Sequence, residues 1–178
     1  MKRIALDMDE VLADIYKKFL YYFERDLGWR LEWKDYAGKK IYELEGAKHL
    51  RDYLHADGFF ADITVMPDSQ QVVQELLEHY DIYVVTSAME FRNSLADKYD
   101  WIRTHFPFIH WKKIVMCGDK SIIQADYMID DHVHNLKYFN GKGLLYTASH
   151  NVNNEDYTRV NNWLEIRDFF RKERAADQ

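Results

Sequence analysis

The stretch Arg3-Ile4-Ala5-Leu6-Asp7-Met8-Asp9-Glu10-Val11-Leu12 decides how this chain is read. Its first half is a short apolar run ended by a carboxylate, the pattern of a buried strand that delivers Asp7 to the edge of a sheet. Four later runs repeat it. Ile82-Tyr83-Val84-Val85 leads into Thr86-Ser87, Ile114-Val115-Met116 is followed by Lys120, Tyr127-Met128-Ile129 ends in Asp130-Asp131, and Leu144-Leu145-Tyr146 comes last. Between them the spacing turns helical. Ile15, Phe19, Leu20, Phe23 and Leu27 recur every three or four residues, with Gly28 placed to terminate them. Val72, Val73, Leu76, Leu77 and Tyr80 form a second stripe, entered at Pro67 and with Asp68 or Ser69 as its cap. Further helices are expected at 95–105, near Ile122, at 135–139 and at 163–174. Five apolar strands alternating with helices predict an α/β fold: a doubly wound, Rossmann-like parallel sheet covered on both faces.

In such sheets ligands bind beyond the carboxyl ends of the strands. The residues expected there are Asp7, Asp9, Thr86, Ser87, Lys120, Asp130 and Asp131. Carboxylates that close repel one another, and burial raises their proton affinity. A divalent cation removes the conflict, and a set of oxygen ligands without Cys suits Mg²⁺. Lys112 and Lys113 precede their strand and fall at the opposite edge, about 10 Å or more away at roughly 3.3 Å per residue, which leaves Lys120 as the usable cation.

Composition bounds the rest. The chain has 178 residues, 47% hydrophobic and 30% charged, which suffices for a packed core and excludes general disorder. A net charge of −6 and the absence of a Lys/Arg run argue against a nucleic-acid polymer as partner. A single cysteine, Cys117, fits a reducing compartment. The carboxylates at Asp7, Asp9 and Glu10 interrupt any apolar leader, and no run of about 18 apolar residues suggests a membrane span. A cytoplasmic protein is the expectation. Aromatic residues are plentiful, with 13 Tyr, 10 Phe and 5 Trp. Several fall between Trp29 and Thr64, a segment without a strand signal that reads as short helices and loops.

The ordered set Asp7-Met8-Asp9, Thr86-Ser87, Lys120 and Asp130-Asp131 resembles the four motifs of the haloacid dehalogenase (HAD) superfamily. Within it, Asp7-Met8-Asp9-x-Val11-Leu12-Ala13-Asp14, Asp119-Lys120 ahead of Ile129-Asp130-Asp131, and Thr147-Ala148-x-His150-Asn151 resemble the 5'(3')-deoxyribonucleotidases. Two positions depart from the pattern: Glu10 stands where the family has Gly, and Gly118 where mammalian relatives tend to carry Arg. The resemblance implies a HAD-like core of residues 1–14 and 65–178 with a small helical cap, residues 15–64, inserted after the first strand. It implies hydrolysis of (deoxy)ribonucleoside monophosphates through an aspartyl-phosphate, with Asp7 as nucleophile and Asp9 as general acid and base. Mg²⁺ would sit on Asp7, the Asp9 backbone carbonyl and Asp130, with Asp131 orienting its waters or Lys120. Thr86, Ser87 and Lys120 would bind the phosphate. Ile15, Ser87, Met89 and Tyr53 correspond to base-pocket positions, and Phe59, Phe60 and Trp33 are further aromatic candidates. His132-Val133-His134 reads as surface or capping histidines. A homodimer is an open option. Two alternatives stay in view: a HAD phosphatase for another small metabolite, and a phospho-accepting signalling domain. The latter has its acidic pair adjacent and its phosphorylated Asp on a middle strand, unlike Asp7-x-Asp9.

Overall fold

The computed structural model describes residues 1–176. Its strands are β1 (Arg3–Leu6), β2 (Ala13–Asp14), β3 (Thr64–Val65), β4 (Asp81–Thr86), β5 (Ile114–Met116), β6 (Tyr127–Asp130), β7 (Lys142–Tyr146) and β8 (Thr158–Val160). The α-helices are α1 (Ile15–Leu27), α2 (Trp33–Tyr36), α3 (Ser69–Leu77), α4 (Ser94–His105), α5 (Val133–Lys137) and α6 (Trp163–Ala176). Six strands form one sheet in the order β5-β4-β1-β6-β7-β8, every pair parallel. This is the expected α/β architecture with one strand more than predicted. The extra strand, β8, reads Thr-Arg-Val and buries only Val160, so it carries no apolar run; it is an edge strand, held by pairing to β7.

Alternation along the strands splits the core between the two faces of the sheet. Ile4, Leu6, Val84, Ile129 and Leu144 belong to the larger cluster, with Phe19, Val72, Trp163 and Phe170 from the helices. Ala5, Val85, Met128 and Leu145 point the other way, onto Leu136 and Phe139. Two buried indoles tie the layers to loops: Trp163 Nε1 donates to the Val11 carbonyl and Trp101 Nε1 to that of Ile63, each at 2.7 Å.

Residues 15–63 contain no strand and hold α1, α2 and two 3-10 turns, Ile41–Glu43 and Lys48–His55. The segment leaves the sheet through β2 and returns through β3, and these two-residue strands pair antiparallel. The start of α1 is well specified: Asp14 accepts the Lys17 amide at 2.9 Å, and Gly28 ends the helix at φ 79°. The start of α3 differs from expectation. Asp68 sits at φ 63° with no side-chain cap, and the Ser69 hydroxyl donates to the Met66 carbonyl instead.

Candidate active site

Asp7 continues the line of β1, its amide donating to the Ile129 carbonyl at 2.9 Å, so it stands beside the end of β6. One of its carboxylate oxygens, Oδ1, accepts the Met8 amide at 2.7 Å and faces the Lys120 ammonium at 2.6 Å. Lys120 Nζ also donates to Asp130 Oδ2 at 2.7 Å. All three side chains are buried. Beyond Asp7 the chain turns tightly. The Leu12 and Ala13 amides both donate to the Met8 carbonyl, and Glu10 adopts φ 61°, the region that favours glycine. A side chain there costs about 1 kcal/mol. The Glu10 carboxylate folds inward and accepts the Tyr16 amide at 2.9 Å.

Asp7, Asp130 and Asp131 offer oxygens within 4.8 Å of one another. Against three buried carboxylates stands Lys120, and their proton affinities record the imbalance. Burial, offset in part by Lys120 and reinforced by Asp130, pushes Asp7 well above the usual carboxylate range. Burial and then Asp130 push Asp131 up to about 8. Burial alone would lower Lys120, yet Asp130 and Asp7 outweigh it and raise its affinity for the proton. Glu10 is raised by burial and by Asp131.

The two neighbouring carboxylates at the end of β6 are held differently. Asp130 is fully occupied: Oδ2 takes Lys120, Oδ1 takes the His132 amide at 2.8 Å, and Asn135 Nδ2 bridges both oxygens. Asp130 does not line the cavity, whereas Asp131 does, and Asp131 Oδ1 is buried without a partner. Asp131 thus keeps an unpartnered oxygen at the cavity, whereas Asp130 is held by Lys120, the His132 amide and Asn135.

Asp7, Glu10, Lys120 and Asp131 line the floor of a cavity of about 510 Å³, a size that suits a small ligand. Asp9, Ser87 and Gly118 line it too, with Ile15, Phe19, Tyr42, Phe60 and Phe91 as apolar wall. Of the expected substrate positions, Ile15 and Ser87 line the cavity, whereas Thr86, Tyr53 and Met89 do not. The Thr86 hydroxyl is buried behind the wall, 3.1 Å from Lys98 Nζ. Tyr53 is outside the cavity, its hydroxyl between Arg25 and Asp26 and its ring on Tyr22. Met89 is 58% exposed, Phe59 packs on Phe19 and Phe60, and Trp33 lines a separate groove.

Lys98 was missed. It is 1% exposed, with Nζ 2.5 Å from Asp9 Oδ2 and 4.7 Å from the Phe60 ring centroid. The available signal is its place on the buried stripe Ser94, Lys98, Trp101, Ile102 of α4. Of the histidines, His134 is exposed, as expected, and His132 stands at the start of α5. His132 and His134 both line the cavity, and His132 stacks on His150 with centroids 4.5 Å apart. His132 precedes α5 without capping it through its side chain. Burial, then His132, lowers His150 to about 4, and burial lowers His132.

Comparison with known proteins gives this geometry a family. Residues 1–176 match the model described as 5' nucleotidase, deoxy (pyrimidine), cytosolic type C protein. The chain is 40% identical over 166 residues to the 5'(3')-deoxyribonucleotidase of Bacillus subtilis, covering 93% of this chain and 96% of that one. It is 42% identical over 171 residues to a Staphylococcus epidermidis protein provisionally named a 5'(3')-deoxyribonucleotidase, covering 95% and 96%. Among solved structures, the haloacid dehalogenase-like hydrolase SP0104 of Streptococcus pneumoniae superposes with a TM-score of 0.60 at 15% identity, over 96% of this chain and 98% of that one. With its HAD-like fold and a match that spans all the described residues, the chain belongs to the type C 5'-deoxynucleotidase family.

Proposed function

We propose that this protein is a Mg²⁺-dependent phosphomonoesterase that hydrolyses (deoxy)ribonucleoside monophosphates to nucleoside and phosphate. The carrying observation is the cavity itself: Asp7, Asp9, Lys120 and Asp131 on its floor and an aromatic wall above them. An Asp7 oxygen attacks phosphorus, the bond to the sugar oxygen breaks, and Asp9 gives that oxygen its proton. Water, giving a proton to Asp9, then attacks the aspartyl-phosphate, and the bond between phosphorus and Asp7 breaks to release phosphate. Lys120 and Ser87 hold the phosphate oxygens.

Oxygen donors and the unpartnered Asp131 Oδ1 fit a hard divalent cation. Asp7, the Asp9 carbonyl and Asp131 would hold Mg²⁺, which when bound offsets charge as phosphate and nucleophile meet. Lys98 has a part before substrate arrives. It neutralises Asp9, and an incoming phosphate offers Lys98 a second anion, freeing Asp9 to take up the proton it must donate.

Residues 15–64 act as a cap over this core, excluding water and presenting Ile15, Phe19, Tyr42 and Phe60 to the nucleobase, with Phe91 from the core side. The Arg51–Glu90 ion pair at 3.2 Å joins cap to core at the mouth of the cavity. The test is phosphate release from a panel of deoxy- and ribonucleotides, sugar phosphates and acid phosphates with Mg²⁺. Turnover of nucleotides is expected. Turnover confined to the other esters removes the nucleotide reading, and a phospho-Asp stable for many minutes favours a signalling domain.

A further inference from the structure

We propose that Asn151 is a positioning residue, which fixes the Asp131–His132 peptide from behind the cavity and so aims the Asp131 carboxylate at the divalent cation. The role presupposes that Asp131 ligates Mg²⁺, as proposed above. A carboxylate that must receive a metal cannot have its free oxygen held by the protein, and Asp131 Oδ1 is buried with no partner. Its direction has to be set through the backbone instead. Asn151 Nδ2 donates to the Asp131 carbonyl at 2.7 Å, and the His132 amide of the same peptide donates to Asp130 Oδ1 at 2.8 Å. A peptide is planar, so bonds at its two ends stop it from rotating and leave Asp131 only its side-chain torsions. Burial of the side chain then restricts those torsions.

The Asn151 amide is itself locked. Besides Asp131, Nδ2 donates to the Tyr146 carbonyl at 2.8 Å, and Oδ1 accepts the Ala148 amide at 3.2 Å and Arg159 Nη1 at 3.0 Å. The two N–H groups and the two lone pairs of the side-chain amide are all used. Reversing the amide would set its oxygen against two carbonyls and its nitrogen against two donors, so one orientation is imposed. Arg159 is anchored in turn on Thr147 Oγ1 at 3.1 Å and on the Asn151 and Asn154 carbonyls at 2.9 and 2.5 Å. The edge strand β8 thus does more than extend the sheet: it carries the arginine that orients Asn151. A second group reaches the same carbonyl. His150 Nε2 lies 3.2 Å from it and 3.3 Å from Asp131 Oδ2, while His150 Nδ1 lies 3.0 Å from the Tyr16 hydroxyl of α1. The polar members of Thr147-Ala148-x-His150-Asn151 therefore lead to Asp131, directly or through Arg159, which gives that motif a chemical role.

The test measures Mg²⁺ affinity rather than turnover, by titration calorimetry of the full chain and by the rise in Tm that Mg²⁺ produces. Asn151→Ala removes the hold on the carbonyl and should weaken Mg²⁺ binding by about 10–100-fold, the usual loss when a partner of a metal-ligating group is removed. Arg159→Lys keeps Asn151 but loses the fork that orients it, and should weaken binding by about tenfold. If Asn151→Ala does not fold, Arg159→Lys alone decides. Asp14→Ala, which acts at the start of α1, should lower Tm and leave Mg²⁺ affinity unchanged. An equal loss of affinity in Asp14→Ala would overturn the positioning role, because the effect would then follow stability. Parent-like affinity in folded Asn151→Ala and in Arg159→Lys would overturn it too, with the metal reading of Asp131 intact. A parent chain that binds no Mg²⁺ would instead remove that reading, and the positioning role with it.

Discussion

A lysine sealed inside a protein costs several kcal/mol unless a counter-charge is held against it. Lys98 meets that condition with Asp9, and Lys120 with Asp7 and Asp130. If Asp7 is the nucleophile, Asp7→Asn should lower kcat by at least about 10³-fold, because an amide oxygen is a poor nucleophile in an otherwise intact cavity. Steady-state phosphate release beside a thermal melt checks this, and wild-type turnover would exclude the aspartyl-phosphate route. Lys98→Met keeps length and packing but leaves Asp9 unpaired; kcat/KM is expected to fall about 10²-fold, the scale of losing one charge-stabilising donor. The same pair of residues explains what the sequence hides. Asp7 and Lys120 could be placed from the ends of apolar runs, whereas a lysine inside a helix looks like any solvated one until its stripe is traced. Asp130 and Asp131 show a different limit. Neighbours at a strand end point to opposite sides, so which of two adjacent carboxylates faces the ligand depends on parity that composition does not record.

Among the elements, α1 opens the insertion of residues 15–63, and its ends are set by single residues. Asp14→Ala removes the acceptor of the Lys17 amide and should cost about 1 kcal/mol, a fall in Tm of about 2–4 °C for a chain of this size. Calorimetry checks it, and no fall would mean that water satisfies the amide equally well. Five of the six sheet strands announce themselves because a strand buried on both faces must be apolar throughout. β8 has a neighbour on one side only, so a single inward Val160 suffices and pairing with β7 supplies the rest. β2 and β3 are shorter still, and their two-residue pairing arises from the geometry of the insertion rather than from β propensity. Aromatic content was legible as an excess, but its use was not: Phe60 reaches the cavity while Phe59 beside it packs on Phe19 of α1.

For the molecule as a whole, the buried carboxylates link stability to pH and metal. Asp7 and Asp131 hold protons in the folded state that the unfolded chain releases near pH 4, so metal-free stability should fall as pH rises from there toward the folded value of about 8 for Asp131. A bound divalent ion replaces those protons and stabilises by about 2.7 kcal/mol at a hundredfold excess over Kd. The rise in Tm on adding Mg²⁺ should therefore be larger at pH 8 than at pH 5, where protons compete. Equal shifts at both values, by scanning calorimetry, would count against this cluster as the metal seat. The strand order adds a constraint in time. Among the described residues β1 comes first in sequence, yet its two neighbours are β4 and β6, and Asp7 meets Lys120, Asp130 and Asp131 only across a gap of more than a hundred residues. A nascent chain that stops before Tyr127 has β1 open on the β6 side and lacks Asp130 and Asp131 of the carboxylate cluster. Contacts so distant in sequence form slowly. The carboxylate cluster thus cannot form until Asp131 has been made, and products truncated before it should bind Mg²⁺ more weakly.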